Sequence, residues 1–163
     1  MTELLPPVER AVRASVDDLD DDRITLAGML FEAAAALERT TVPSIEALGL
    51  TTQAFEALLR LARTPEHRLR MSELANAMTS ITPSGLTRLV DRLESVGYVE
   101  RAMCPSDRRG SFAQLTESGM DVVLAVIPQH LADLDEHLWR LLTVRQRGEL
   151  EALLRVVRDA NAR

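Results

Sequence analysis

Residues 82–96 read TPSGLTRLVDRLESV, and this stretch decides the fold of the chain. Thr82 offers a hydroxyl that can cap a helix, and Pro83 takes the first helical position, where its missing N–H costs nothing. Apolar residues then recur at three- and four-residue spacing, which predicts one face turned to a core. They are Leu86, Leu89, Val90, Leu93 and Val96.

The opposite face of this helix is polar and carries Ser84, Thr87, Arg88, Asp91, Arg92 and Ser95. Gly85 adds no bulk to the first turn, so this end of the helix could approach another surface closely. Short hydroxyls and arginines can reach base edges and phosphates in the major groove of DNA. We therefore predict a DNA-contacting surface made of Thr82, Ser84, Gly85, Thr87, Arg88 and Arg92.

The flanking segments predict a winged helix-turn-helix. Residues 71–78 (MSELANAM) indicate a short helix capped by Ser72, and residues 79–81 form a turn of the length used in helix-turn-helix units. Gly97 fits a C-cap, and residues 98–102 and 111–115 alternate like two strands around a polar turn at residues 104–110. An ordinary α+β segment with a solvated polar face is the alternative, but arginines at the tip of the hairpin favour the winged unit.

Helices are also predicted before the winged unit. Residues 23–39 carry a wide apolar stripe that should be buried against several partners, and residues 40–43 (TTVP) should break that helix. Thr51 or Thr52 caps a helix that ends near Arg63, and residues 68–71 can add a third strand beside the wing. Residues 1–22 end in an acidic run, for which we predict a solvated linker or a first helical turn.

After the wing, Thr116 caps a long helix that should reach about Leu142, with a bend at Pro128. Residues 143–146 form a capping box that begins a last helix through about Ala160. Its predicted buried face is Leu150, Leu153, Leu154 and Val157. The long helix carries a continuous heptad seam, formed by Met120, Leu124, Ile127, Leu131, Leu134, Leu138 and Leu141.

This seam has more apolar surface than one winged unit can cover. It could pack on the first helix of the same chain, or it could belong to a homodimer in which the first and last helices interleave with the long helix. We favour the homodimer and assign to it Ile24, Leu30, Ile127, Leu131, Leu134, Leu138, Leu150, Leu154 and Val157.

The net charge of −6 looks unsuited to DNA binding, so the distribution of charge matters more than its sum. Residues 68–109 contain seven arginines and five acidic residues and carry +2, whereas residues 1–22 carry −5. The acidity therefore lies away from the predicted DNA-contacting surface. Within the basic segment, weaker candidates for phosphate contacts are Arg68, Arg70, Ser72 and Arg101.

Two runs of sequence, LTRLVDRLESVGYVER at residues 86–101 and PSDRRGSFAQLTESG at residues 105–119, resemble the MarR family (multiple antibiotic resistance regulators) of bacterial transcription factors. The resemblance implies that Arg109 enters a minor groove beside the recognised site and that Asp107 orients it, with Arg108 alongside. It also implies a homodimer that binds double-stranded DNA at pseudo-palindromic promoter sites and generally represses. Many family members release DNA when a small phenolic or other effector binds, usually where the first, second and long helices meet the winged unit.

Length and composition predict a single, mainly α (α+β) domain at residues 1–163. We divide it into an N-terminal arm and dimerisation helix (1–48), a winged helix-turn-helix lobe (51–115), and a long helix followed by a C-terminal dimerisation helix (116–163). The chain shows no membrane-spanning run and no apolar signal core near Met1, so we expect a cytoplasmic protein without a membrane partner.

Other function classes find less support in the sequence. No nucleophile–base constellation, phosphate loop or metal signature indicates an enzyme, and we predict no cofactor and no metal site. A winged helix that contacts only protein and lacks ligand control is one alternative, and a redox-responsive regulator that uses Cys104 is another. His130, Asp133 and His137 could hold a metal, but solvated ion pairing explains their spacing better.

Overall fold

The computed structural model describes residues 19–78, 81–104 and 107–161, without the side chains of residues 103–110. The chain divides into two units, residues 1–36 and residues 37–163. The first unit contributes the start of the first helix. In the described part of the chain the elements are α1 (Asp22–Glu46), α2 (Thr52–Ala62), β1 (Arg68–Arg70), α3 (Met71–Ala77), α4 (Pro83–Ser95), β2 (Val99–Cys104), β3 (Asp107–Leu115), α5 (Glu117–His137) and α6 (Val144–Asn161).

The three strands form one antiparallel sheet in the order β1-β3-β2, which confirms the predicted third strand and hairpin. In this register Arg70 pairs with Phe112, and Ala102 also pairs with Phe112 from the other side. The predicted turn at residues 104–110 was too long, because β3 already begins at Asp107. Pairing between β2 and β3 continues past a register shift between Met103 and Cys104. The polar residues of this segment have a weak strand propensity, but the cross-strand pairing outweighs it.

The core of the second unit contains the predicted apolar face of α4. Leu86, Leu89, Val90 and Leu93 are buried, together with residues from α2, α3, the sheet and α5. Val96 is an exception, since its side chain is 58% exposed. The helix ends at Ser95 and Val96 is its C-cap, so helical spacing no longer decides where that side chain points.

The predicted break of the first helix at residues 40–43 is wrong, because α1 continues through Pro43 to Glu46. Hydroxyl groups around the proline bond to the helix backbone. The Thr40 and Thr41 hydroxyls donate to the Leu37 carbonyl over 2.7 and 3.2 Å, and the Ser44 hydroxyl donates to the Thr41 carbonyl over 2.7 Å. Pro43 itself removes only one backbone hydrogen bond, to the carbonyl of Arg39 four residues earlier, and α1 continues on both sides of it.

The cap predicted for α3 is also different. Ser72 lies inside the helix, and Arg70 is the N-cap. The Arg70 backbone N–H donates to the Glu73 carboxylate over 2.9 Å, so the side chain of Glu73 caps the start of α3. Ser72 is left exposed on the surface of α3.

The long helix is shorter than predicted. α5 contains Pro128 and ends at His137, and Leu138 follows with φ −135° and ψ −60°, outside the helical region. A 3₁₀ turn at Trp139–Leu141 then leads to α6. The seven-residue seam therefore does not lie on one continuous helix. α5 contacts the core of the second unit through Gly119, Val123 and Val126, which lie beside the seam, and the seam residues Met120 and Ile127 are partly buried against the same core.

The stripe of α1 and the predicted buried face of α6 are not buried within one chain. In α6 no residue is buried. Large apolar side chains that remain exposed on α1, α5 and α6 are Ile24, Leu26, Met29, Leu30, Phe31, Leu124, Leu131, Val144, Leu153, Leu154, Val156 and Val157. The apolar spacing identified faces suited to burial, but the described part of a single chain does not cover them.

None of the helices that the structure describes has the length and apolar character needed to cross a lipid bilayer.

α5 begins in close contact with the start of the hairpin. The Thr116 hydroxyl caps the helix by accepting the Gly119 N–H over 3.0 Å, as predicted, and it donates to the Gly97 carbonyl over 2.6 Å. A Cβ on Gly119 would clash with the Tyr98 carbonyl oxygen and would lie 2.7 Å from the Leu115 side chain. Only glycine permits this approach of helix to backbone.

We expect Gly119→Ala to lower the free energy of unfolding by about 3 kcal/mol, because the backbone of Tyr98 must shift to admit the methyl group. Urea unfolding monitored by circular dichroism measures the change. Gly148→Ala is the matched control, since nothing lies within 4 Å of the added Cβ and helical alanine is favoured over glycine by about 0.5–1 kcal/mol. Equal stability of Gly119→Ala and the unmodified chain would contradict the close approach.

Candidate nucleic-acid interface

The first turn of α4 has the geometry that the sequence predicts. The Thr82 hydroxyl accepts the Gly85 N–H over 3.1 Å, and Pro83 occupies the first turn. The Thr82 and Ser84 hydroxyl oxygens lie 3.3 Å apart. Thr87 donates its own hydroxyl to the Pro83 carbonyl over 3.2 Å, which leaves its oxygen able to accept a further hydrogen bond.

The outer face of α4 is a continuous exposed surface. Ser84, Thr87, Arg88 and Arg92 are all exposed, while the buried residues of the same helix lie on the opposite side. Gly85 differs from the other residues predicted to contact DNA. It is half-buried, and a Cβ there would lie 3.0 Å from the Ile81 side chain and 3.1 Å from the Thr82 hydroxyl. Its lack of a side chain serves the packing of the turn before the helix.

A shallow cleft of about 310 Å³ runs between α3 and α4. Its lining includes polar side chains from both helices, namely Ser72 and Asn76 of α3 and Thr87 of α4. Ser72 and Thr87 are among the residues predicted to contact DNA, whereas Asn76 is not. Its position four residues after Ser72, on the same exposed side of a short helix, was the signal that could have identified it.

Arg68 and Arg70 lie on the strand that borders the wing. Their guanidinium carbons are 5.1 and 5.5 Å from the centroid of the Phe112 ring, within the range of cation–π attraction. Arg68 also forms an ion pair with Glu66. Phe112 therefore holds two cations on one face of the sheet, a role that its sequence position alone did not indicate.

Arg101 is differently placed from the other candidate phosphate contacts. Its guanidinium donates to the Asp91 carboxylate over 2.6 Å, and its Nε lies 3.4 Å from the Glu94 carboxylate. The backbone N–H of Arg101 also donates to Glu94, over 3.2 Å. Arg101 is predicted as a weaker phosphate contact, and the structure pairs its charge with two acids of α4.

The predicted wing residues lie at the start of β3. The backbone of Asp107, Arg108 and Arg109 belongs to that strand. Their side chains, and that of Cys104, lie outside the described residues, so their predicted roles stay predictions.

His130 packs at a junction of α2 and α5. Its ring meets Phe55 edge to face, with centroids 5.1 Å apart, and its Nδ1 is buried without a hydrogen-bond partner among the described residues. Burial lowers the pKa of His130, and the charge of Asp133 opposes this shift. A hydrogen bond from Gln129 lowers the pKa of Asp133. No group of three or more His, Cys, Asp or Glu among the described residues is placed to hold a metal ion.

Comparison with known proteins places these features in a family. The model of the MarR family matches residues 48–110. The transcriptional repressor MprA of Escherichia coli is 30% identical over 152 residues, which cover 91% of this chain and 85% of MprA.

Two solved structures share the fold. Sco3205, a MarR family transcriptional regulator from Streptomyces coelicolor in complex with DNA, has 35% identity and a TM-score of 0.76, covering 86% of this chain and 88% of Sco3205. A mutant of MarR from Escherichia coli complexed with operator DNA has 26% identity and a TM-score of 0.73, covering 88% of this chain and 99% of that protein. With a winged helix fold and this extent of identity to MprA and Sco3205, the chain belongs to the MarR family of transcriptional regulators.

Proposed function

We propose that this protein is a homodimeric, sequence-specific DNA-binding regulator that represses transcription by occupying pseudo-palindromic promoter sites. The observation that carries the proposal is the exposed face of α4, where Ser84, Thr87, Arg88 and Arg92 stand together on a capped, firmly packed helix. The DNA complexes of Sco3205 and of the MarR mutant support the DNA-binding role, and the name of MprA supports repression.

In this proposal α4 enters the major groove. Ser84, Thr87 and Arg88 contact base edges and phosphates, while Arg92 lies one turn further along the helix. Arg109, oriented by Asp107, enters the flanking minor groove, with Arg108 beside it. Arg68 and Arg70, held against Phe112, contact the phosphate backbone together with Ser72, and Asn76 joins them at the cleft between α3 and α4.

We expect Arg88→Ala and Arg109→Ala each to weaken operator binding by about 1–3 kcal/mol. Only Arg88→Ala should also relax the sequence preference, because base contacts specify and phosphate or groove contacts position. Fluorescence anisotropy with DNA from upstream of the protein's own gene, against a scrambled fragment and over a salt series, measures both effects. Binding of the unmodified chain should fall steeply with salt.

Arg145→Ala is the matched control for these two variants. Arg145 is 78% exposed and pairs with Glu149 within α6, so its loss removes one positive charge away from α4. Affinity of Arg109→Ala equal to that of the unmodified chain would refute the role of the wing. Equally weak binding of the unmodified chain to all fragments from a random-sequence selection would favour a winged helix that contacts only protein.

The dimer is proposed from the uncovered apolar faces of the long and terminal helices. Leu131 on α5 is 55% exposed, and Leu154 on α6 is 45% exposed. Large apolar side chains left exposed on several helices indicate an interaction site in a folded protein. A two-fold axis would place two copies of α4 about 34–36 Å apart, one turn of DNA, which is the reason for a pseudo-palindromic site.

We expect Leu131→Glu to weaken dimerisation roughly 100-fold or more, since an unpaired carboxylate buried at an interface costs several kcal/mol. Sedimentation velocity over a range of protein concentrations measures the change. Val96→Glu is the control, because Val96 is 58% exposed but lies on the winged unit. A dimer that survives Leu131→Glu, or that dissociates equally with Val96→Glu, would contradict the assigned face.

Release by a small-molecule effector is the remaining part of the proposal. The junction of Phe55 and His130 supplies an aromatic edge and a buried ring nitrogen, near the half-buried Asp133. The lowered pKa of His130 keeps its ring neutral near neutral pH. A neutral imidazole can exchange a hydrogen bond with a phenol hydroxyl. Binding there changes DNA affinity only if the effector prefers one geometry of the protein.

We expect small phenolic acids to release operator DNA, and His130→Phe to lessen that release because it removes the ring nitrogen and fills the junction. The measurement is the fraction of bound DNA at increasing phenol concentration. His137→Phe is the control, since His137 is exposed on the same helix. Equal release from both variants would place the effector elsewhere, and release only under oxidising conditions would favour a role for Cys104.

A further inference from the structure

One residue of the hairpin makes three polar contacts with α4. Arg101, the third residue of β2, donates from its guanidinium to Asp91 over 2.6 Å and from its backbone to Glu94 over 3.2 Å, and its Nε lies 3.4 Å from Glu94. We call Arg101, Asp91 and Glu94 the Arg101 clasp. Asp91 and Glu94 stand three residues apart on one side of α4, so a single arginine can reach both.

The clasp joins the two parts of the proposed DNA-binding surface. Asp91 and Glu94 belong to the helix that is proposed to enter the major groove. Arg101 belongs to the strand that runs from the turn after α4 towards the wing tip. Val99 lies two residues before Arg101 on β2, and Ala113 pairs with Arg101 from β3. Both are buried in the core, so the start of β2 is itself firmly held. The clasp therefore fixes the side chains of α4 against the strand that leads to Arg108 and Arg109.

The charges of the clasp also favour a contact of Arg101 with α4 rather than with DNA. Asp91 and Glu94 are exposed acids next to Arg88 and Arg92, where free carboxylates would repel DNA phosphates. Arg101 offsets this negative charge and in doing so uses its own donors. A guanidinium that is bonded to two carboxylates has fewer donors left for a phosphate, which argues against a direct DNA contact by Arg101.

We propose that Arg101 is a positioning residue, which acts through Asp91 and Glu94 to hold the wing in register with α4 so that both engage DNA together. The inference rests on the proposed DNA-binding function. Two contacts that are held at a fixed spacing bind as one event, and loosening their connection lowers the effective concentration of the second contact. Arg101 is only partly buried and its partners are exposed, so the clasp contributes little to folding stability.

The test compares two ways of opening the clasp. Arg101→Met removes the cation, and Asp91→Asn/Glu94→Gln removes both anions while preserving side-chain shape. A positioning role predicts that both variants weaken operator binding about tenfold, that the combined triple variant is no weaker, and that the slope of log affinity against log salt is unchanged. Glu100→Gln is the control for removing an acid near DNA and should not weaken binding.

A direct phosphate contact predicts a different pattern, which would overturn the inference. In Asp91→Asn/Glu94→Gln, Arg101 would lose its acidic partners and be free to contact a phosphate, so this variant would bind DNA more tightly. Arg101→Met would lower the slope of log affinity against log salt by about 1. Unchanged affinity in both variants would also overturn it. Thermal melting of every variant checks that folding is retained.

A second measurement on the free protein separates this inference from the proposed function. Hydrogen–deuterium exchange at residues 99–102 should be faster in Arg101→Met than in the unmodified chain, whether or not DNA binds. Unchanged exchange would show that Arg101 does not hold the strand. If the unmodified chain does not distinguish operator from scrambled DNA, the proposed function fails, and the exchange rates still decide whether the clasp fixes β2 on α4.

Discussion

The burial of one face of α4 is the constraint on which the rest of the structure depends. Leu86, Leu89, Val90 and Leu93 are no more than 4% exposed, so the helix has one rotation about its axis at which all four are covered. The Thr82 cap fixes where that helix begins. Together these set which side chains face outward, and the outward face is determined by apolar packing rather than by the polar residues that occupy it.

The same packing determines the position of the hairpin formed by β2 and β3. Val99, Ala113 and Leu115 are buried with the apolar face of α4, and α5 begins where Gly119 comes close to the Tyr98 carbonyl. The first residues of β2 are therefore held from the core side, and Arg101 holds them from the α4 side. A surface built from a helix and a wing needs this kind of support, because its side chains must keep a fixed spacing to bind together.

The features that the sequence predicted correctly are local ones. The caps at Thr51, Thr82, Thr116 and Thr143 depend on residues three positions away, and the structure confirms each of them. Features that depend on distant partners were missed. The acids that engage Arg101 lie seven and ten residues earlier in the chain, and the start of β3 is set by its pairing with β2. Pro43 misled the prediction because a proline removes only one backbone hydrogen bond, and α1 continues past it to Glu46.

The apolar faces of α1 and α6 are predicted from the sequence to be buried, but in one chain they are exposed. Apolar spacing reports which residues favour burial, but it does not report which chain buries them. On α6 the charged residues pair within the helix, Arg145 with Glu149 and Arg155 with Glu151, which keeps the polar side solvated without a partner. Leu154 and Val157 have no such local compensation, so their exposure in one chain is the physical reason to propose a second copy.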